Sequence, residues 1–257
     1  MNSDSSRAQV AFYKEKVDVE EEITRPRGYP PFVRWLIGSK VDAAVRLYAP
    51  GLHPGMRVLV VCAGSGLDLE MLSDRGLVPV GLDLSLEATK RAKERARRFG
   101  ARYRLACGDA TVLPFPDGAF DVVFVHDGLH HLKDPYVGAA EMLRVARRAV
   151  VIAEPAVSPL TRLAVWLGIS GDHEEAGNYV YRIDPHRLAQ VTRDFGFTEL
   201  RVTRELCYYQ PWTYTLYSVV EGIFGMTALQ RMYRSINRLI GRWGNSLRVA
   251  AWRPDGA

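Results

Sequence analysis

The chain is short of cysteine, of long apolar runs and of concentrated charge. Three cysteines, Cys62, Cys107 and Cys207, are spread over 257 residues. They match neither a zinc-ligand spacing nor a disulfide framework, which points to a reducing compartment, the cytoplasm. Cys62 and Cys107 stand beside strand ends and read as small buried residues. No apolar stretch approaches the roughly 20 residues that a membrane span needs. The polar start, Met1–Gln9, predicts no leader peptide. No internal repeat of about 20–50 residues is present. The formal net charge of +5 is mild, well short of the basic stripe of a dedicated nucleic-acid binder.

What the chain does have is a strand–turn–helix signal. Val58 to Val61 is an apolar run without polar relief, as in a strand buried on both faces of a parallel sheet. It breaks at Ala63-Gly64-Ser65-Gly66, where two glycines allow backbone conformations closed to other residues and a close approach of a ligand to the main chain. Leu67, Leu69, Met71 and Leu72 then follow a helical pattern. Strand, glycine turn and helix together are the architecture of a nucleotide site.

The next segments repeat the alternation. A second strand within 76–85 ends on Asp83, an acid placed to accept both hydroxyl hydrogens of a ribose diol. Ser85 caps a helix over 86–99. Its basic residues, Lys90 to Arg98, are interrupted by Glu87 and Glu94 and read as a solvated face. Tyr103 to Ala106 is a third strand, and Asp109 beyond it is placed to accept from an adenine amino group. Phe120 to Val125 is a fourth strand, with the outgoing loop 126–132. A helix over 135–146 and a fifth strand over 149–153, ending at Glu154-Pro155, complete this half. Ligand candidates stand at nearly every strand's carboxyl end, where open α/β sheets bind.

Flanking segments are less regular. Residues 1 to 9 read as disordered, and prolines 26, 30 and 31 interrupt any long helix before Phe32. Phe32 to Tyr48 has a helical apolar period. Asp184-Pro185 starts a helix. Strands are expected over 199–208 and 244–253. Between them lie two amphipathic helices within 210–243. Their apolar faces have four readings: thickening the core, covering an apolar acceptor, forming a dimer interface or touching a membrane surface.

Five ordered stretches carry a family resemblance: Val-Cys-Ala-Gly-Ser-Gly (61–66), Gly-Leu-Asp-Leu-Ser (81–85), Gly-Asp-Ala (108–110), Leu-Pro-Phe-Pro-Asp-Gly-Ala-Phe-Asp (113–121) and Gly-Leu-His-His-Leu (128–132). They resemble the class I S-adenosylmethionine-dependent methyltransferases, most of all the small-molecule group that includes ubiquinone and menaquinone biosynthesis enzymes. In the first stretch Ala63 and Leu67 occupy positions where the family usually has glycine. The resemblance implies a Rossmann-like, doubly wound seven-stranded sheet with its last strand antiparallel. An N-terminal helical arm, 1–50, precedes the methyltransferase domain, 51–257, which carries acceptor-side segments 156–182 and 210–243.

The implied cofactor is S-adenosyl-L-methionine, with S-adenosyl-L-homocysteine as product. Its expected site is Ala63, Gly64, Ser65, Gly66, Asp83, Leu84, Asp109, Ala110 and His126, closed by Tyr13 from the arm, with Arg27 a second candidate there. His130 and His173 are the expected proton acceptors, and His131 a structural partner. No metal is expected, although His173 with Glu174 and Glu175 has suitable donors. The Asp/Asn-Pro-Pro-Tyr signature of adenine-modifying enzymes is absent after the fourth strand. The expected acceptor is therefore a small apolar or aromatic molecule of secondary metabolism, attacked through oxygen ahead of nitrogen and carbon. Two other functions compete: a cofactor-binding protein of this fold that catalyses no methylation, such as a cyclase, and an RNA or protein methyltransferase. A homo-oligomer is compatible with all three.

Overall fold

Val58–Val61 forms β1, and all four of its side chains are buried. In the computed structural model, which describes residues 18–168 and 179–254, β1 pairs in parallel with β2 (Val80–Asp83) and β4 (Phe120–His126). The sheet is completed by β3 (Arg104–Cys107), β5 (Ala146–Pro155), β6 (Glu199–Glu205) and β7 (Ser246–Trp252). The order is β3-β2-β1-β4-β5-β7-β6. Strands β1 to β5 are parallel, and β7 is antiparallel to both β5 and β6.

The unbroken apolar run of β1 has a simple cause. Leu59 and Val61 face one core with Val123, Val125 and Ile152, while Val58 and Val60 face another with Val122, Phe124 and Val151. Helices cover both layers, so no face of a central strand reaches water. α1 is Val19–Thr24, α2 Pro31–Leu47, α3 Leu67–Ser73, α4 Leu86–Phe99, α5 Pro135–Val145, α6 Pro159–Trp166, α7 Pro185–Asp194, α8 Pro211–Phe224 and α9 Met226–Ile240. Several start as the sequence requires. Ser85 accepts from Ala88 N–H, and Asp184 accepts from His186 N–H ahead of Pro185. α2, from the arm, buries Val41 and Ala44 in the second sheet layer, as does Tyr48 just beyond its end.

Several boundaries differ from the expected ones. β2 begins only after Pro79, which has no N–H for a ladder. β5 starts at Ala146 and so takes in Arg147 and Arg148. Cys107, expected to be buried, is exposed, because β3 is the edge strand and its tip is open.

The basic face of α4 is also not a plain solvated one. Arg91 is buried, and Arg95 is wholly enclosed. Arg95 donates to the carbonyls of Ser65 (2.9 Å), Glu22 (3.0 Å) and Arg25 (2.6 Å), and to the Glu70 carboxylate (3.0 Å). It thus ties the glycine turn to the N-terminal arm. Arg97 and Arg98 pair with Glu94, and Arg98 also with Glu20, which leaves little of this face for phosphates.

Replacing Arg95 with Ala removes a side chain that reaches all four of these acceptors. Truncating one partner of a buried ion pair costs about 3–5 kcal/mol. Urea unfolding of Arg95→Ala should show a loss of that order; a loss under about 1 kcal/mol, as at an exposed pair, would contradict the role given to Arg95.

Candidate functional site

The carboxyl ends of β1 to β5 open on one cavity of about 740 Å³. The turn after β1 is built from left-handed backbone: Cys62, Gly64 and Gly66 have φ of 54°, 51° and 83°. A Cβ on Gly64 would meet nothing within 4 Å, so this glycine serves conformation and leaves the main chain bare to the cavity. Its N–H donates to Asp83 Oδ2 at 2.8 Å, while Ser85 N–H donates to Asp83 Oδ1 at 2.8 Å. Burial pushes the Asp83 carboxyl up, against the pull of these two donors. Each oxygen keeps a further lone-pair direction for a ligand hydroxyl. Asp109 accepts from the N–H and hydroxyl of Thr111 through Oδ1.

The β4–α5 loop is organised from below by Glu154, at the end of β5. This carboxylate is fully buried. Its Oε1 accepts from Gly128 N–H (2.7 Å) and Leu129 N–H (2.8 Å), and its Oε2 lies 2.7 Å from His130 Nδ1. A carboxylate only accepts, so Nδ1 carries the proton and Nε2 is the basic atom of the ring. The ring leans on His131, with centroids 4.0 Å apart.

A charged network forms the neighbouring wall. Lys40 Nζ, from α2, donates to both oxygens of Asp127 at 2.6 Å. Tyr209 OH donates to Asp127 Oδ2 at 3.2 Å. His126 contacts Asp68 through Nδ1 (2.9 Å) and Asp127 through Nε2 (3.2 Å). Burial opposes the His126 imidazolium, but Asp68 and Asp127 outweigh it and push its pKa up to about 9. Burial likewise opposes charge on Asp127, yet Lys40 and His126 hold its carboxyl well below the usual range. At neutral pH His126 is therefore a cation and no general base. The donor atoms of Asp127, His130 and Glu154 lie within 4.8 Å of one another. The two carboxylates among them already accept from Lys40, Tyr209, His126 and N–H donors, so the trio is bound into an internal charge network.

Residues 59–153 match the family described as "Methyltransferase domain". The demethylmenaquinone methyltransferase of Renibacterium salmoninarum is 43% identical over 108 residues, 41% of this chain and 44% of that protein. The 2-methyl-6-phytyl-1,4-hydroquinone methyltransferase of Synechocystis is 36% identical over 125 residues, 47% of this chain and 39% of that one. The chain thus spans less than half the length of these relatives. Among solved structures, magnesium protoporphyrin IX methyltransferase from Synechocystis with bound SAH superposes with a TM-score of 0.67 at 18% identity, covering 98% of this chain and 100% of that one. The cyclase SpnF does so at 0.59 and 19% identity, covering 85% and 81%. Such likenesses establish the fold.

The structure brings Ala63, Gly64, Ser65, Asp83, Leu84, Asp109, Ala110, His126 and His130 to the cavity wall. Gly66 stands apart from that wall. A Cβ there would come within 2.8 Å of Tyr103 OH and 3.0 Å of Ala92 Cβ, so its bareness lets α4 pack. Arg27 is also away from the cavity, paired with Glu70 and stacked over Phe99. Tyr13 and His173, with Glu174 and Glu175, lie outside the described residues.

Four residues of the site were not singled out from sequence: Lys40, Asp127, Glu154 and Tyr209. Two of them carried a signal. Lys40 falls between Ile37 and Val41 on the apolar stripe of α2, and Glu154 ends a strand buried on both faces; a charge at either position needs a partner.

The raised pKa of His126 gives the fold a pH-dependent stability. The ion pairs are fully formed below the ordinary value of 6.5 and are lost as pH rises through about 9. Their share of stability, on the order of 3 kcal/mol, should decline across that window. Denaturant midpoints between pH 6 and 10 should fall more steeply for the native chain than for His126→Gln. Parallel profiles would remove the imidazolium from the network.

Proposed function

We propose that the chain transfers a methyl group from S-adenosyl-L-methionine to a small, largely apolar acceptor. The convergence of Gly64, Asp83, Asp109 and His130 on one cavity, at the ends of four adjacent parallel strands, carries this reading. The residues fit the cofactor. Gly64 bares backbone, Asp83 retains acceptor capacity for a ribose diol, and Asp109 with Ala110 lies where an adenine edge would be held. When bound, the cofactor supplies an electrophilic methyl on a sulfonium.

The protein's part is positioning, exclusion of water and handling of one proton. The arm, 1–50, and the segments 156–182 and 210–243 are proposed as the acceptor side. Tyr209, Pro211 and Tyr214 bring aromatic and apolar surface to the cavity. The names of the relatives, a demethylmenaquinone and a phytylated hydroquinone methyltransferase, support ring-bearing apolar acceptors. A hydroxyl nucleophile is placed ahead of nitrogen and carbon, because His130 Nε2 can take its proton. Glu154 fixes the ring's tautomer and stabilises the imidazolium that forms. Asp127, held as an anion by Lys40, keeps a fixed negative charge in the wall beside it.

Two substitutions test the roles separately. Asp83→Asn should weaken binding of S-adenosylhomocysteine about 10–100-fold by calorimetry, with the circular dichroism spectrum unchanged. Unaltered affinity would remove Asp83 from the cofactor site. His130→Ala should lower turnover of a hydroxylated acceptor about 10²–10⁴-fold and leave that affinity unchanged. Full activity would reduce His130 to a loop-fixing group.

A further inference from the structure

The α8–α9 hairpin packs on α2 through Tyr217, Val220, Leu229 and Tyr233, around Phe32 and Leu36. A second apolar surface on the same hairpin faces solvent. On α8, Trp212, Leu216, Val219 and Ile223 fall at i, i+4, i+7 and i+11, one helical stripe. They are 62%, 55%, 52% and 67% exposed. On α9, Met232, Ile236 and Leu239 repeat the pattern, and Leu239 is 75% exposed. α6 adds Trp166, 80% exposed, and its start is tied to the foot of α9 by a hydrogen bond from the Ser158 hydroxyl to the Trp243 carbonyl. Rows of exposed apolar side chains on two packed helices mark a candidate interaction surface.

Charge selects the occupant. The segment 211–243 contains Arg231, Arg234, Arg238 and Arg242 but a single acid, Glu221, which accepts from Phe32 N–H at 3.2 Å. Arg231, Arg234 and Arg238 form a row along the polar side of α9 and make no ion pair with a described carboxylate. In a two-fold contact with another copy, the same patch would meet itself, and this segment offers the arginines no free carboxylate. Tryptophans beside an apolar stripe, with arginines along the flank, suit the boundary between headgroups and acyl chains of an anionic bilayer. The same elements also reach the cavity, since Leu160, Thr161, Pro211 and Tyr214 line it.

We propose that the α6–α8–α9 face docks on an anionic lipid surface, and that an apolar acceptor enters the cavity from the bilayer past the starts of α6 and α8. The docking stands on the exposed stripes and the arginine row; the delivery of an acceptor rests on the methyl-transfer reading. No helix among the described residues is long and apolar enough to cross a membrane, so the contact is one of surface.

Co-sedimentation of the full chain with phosphatidylglycerol–phosphatidylcholine vesicles, and with pure phosphatidylcholine vesicles, tests the docking. Bound protein should rise steeply with the anionic fraction and fall with salt. The double variant Leu216→Ser/Ile223→Ser should lose vesicle binding. Arg231→Gln/Arg238→Gln should weaken it about 30-fold. Both variants should keep the circular dichroism spectrum and the affinity for S-adenosylhomocysteine. Three outcomes would overturn the proposal: no binding at any anionic fraction, equal binding to neutral vesicles, or a native dimer that the serine variant converts to monomer. Cofactor affinity is read on the same samples, so failure of the docking is distinguishable from failure of the methyltransferase reading.

Discussion

One buried carboxylate holds the β4–α5 side of the cavity together. Glu154 has no access to solvent, and its cost is offset by the backbone N–H donors of the β4–α5 loop and by the ring of His130. A charge so placed is strongly destabilising unless its acceptor sites are met. The loop therefore has little choice of conformation while the parallel sheet keeps β5 beside β4. The orientation of His130 follows from that constraint, and so does the assignment of Nε2 as its basic atom.

A similar logic operates at the ends of β1 and β2. Asp83 joins the ends of β1 and β2 by accepting from Gly64 and Ser85. Arg95 reaches from α4 to the Ser65 carbonyl and to carbonyls of the arm. The glycine turn is thus fixed from two directions, and its bare backbone is preorganised for a ligand at little further entropic cost. Lys40 extends the principle to α2, where its pairing with Asp127 links the arm to the β4 loop. The cavity is assembled by interactions that span distant parts of the chain.

The sheet was legible because its signals are local. Val58–Val61 announces a strand buried on both faces, Ser85 and Asp184 announce helix starts, and the acids Asp83 and Asp109 stand at strand tips on the cavity wall. Strand ends were less legible: Arg147 and Arg148 look like a helix terminus, yet they extend β5. The partners of charged groups were not legible at all. Nothing adjacent to Arg95 in sequence reveals that its guanidinium is enclosed by carbonyls from residues 22, 25 and 65, and nothing near Tyr209 points to Asp127. In α8 and α9 the apolar period was plain, but the choice of packed stripe depends on where α2 lies. The exposed stripes on which the docking proposal rests therefore emerge only in three dimensions.

The central claim is that the strand tips form one S-adenosylmethionine site with the acceptor chemistry beside it. A crystal structure grown with S-adenosylhomocysteine tests it most directly. The account predicts the ribose hydroxyls on the Asp83 carboxylate, the adenine edge by Asp109 and Ala110, and the sulfur directed toward the side of the cavity that holds His130. A ligand bound elsewhere, or in this cavity without contact to Asp83, would contradict it.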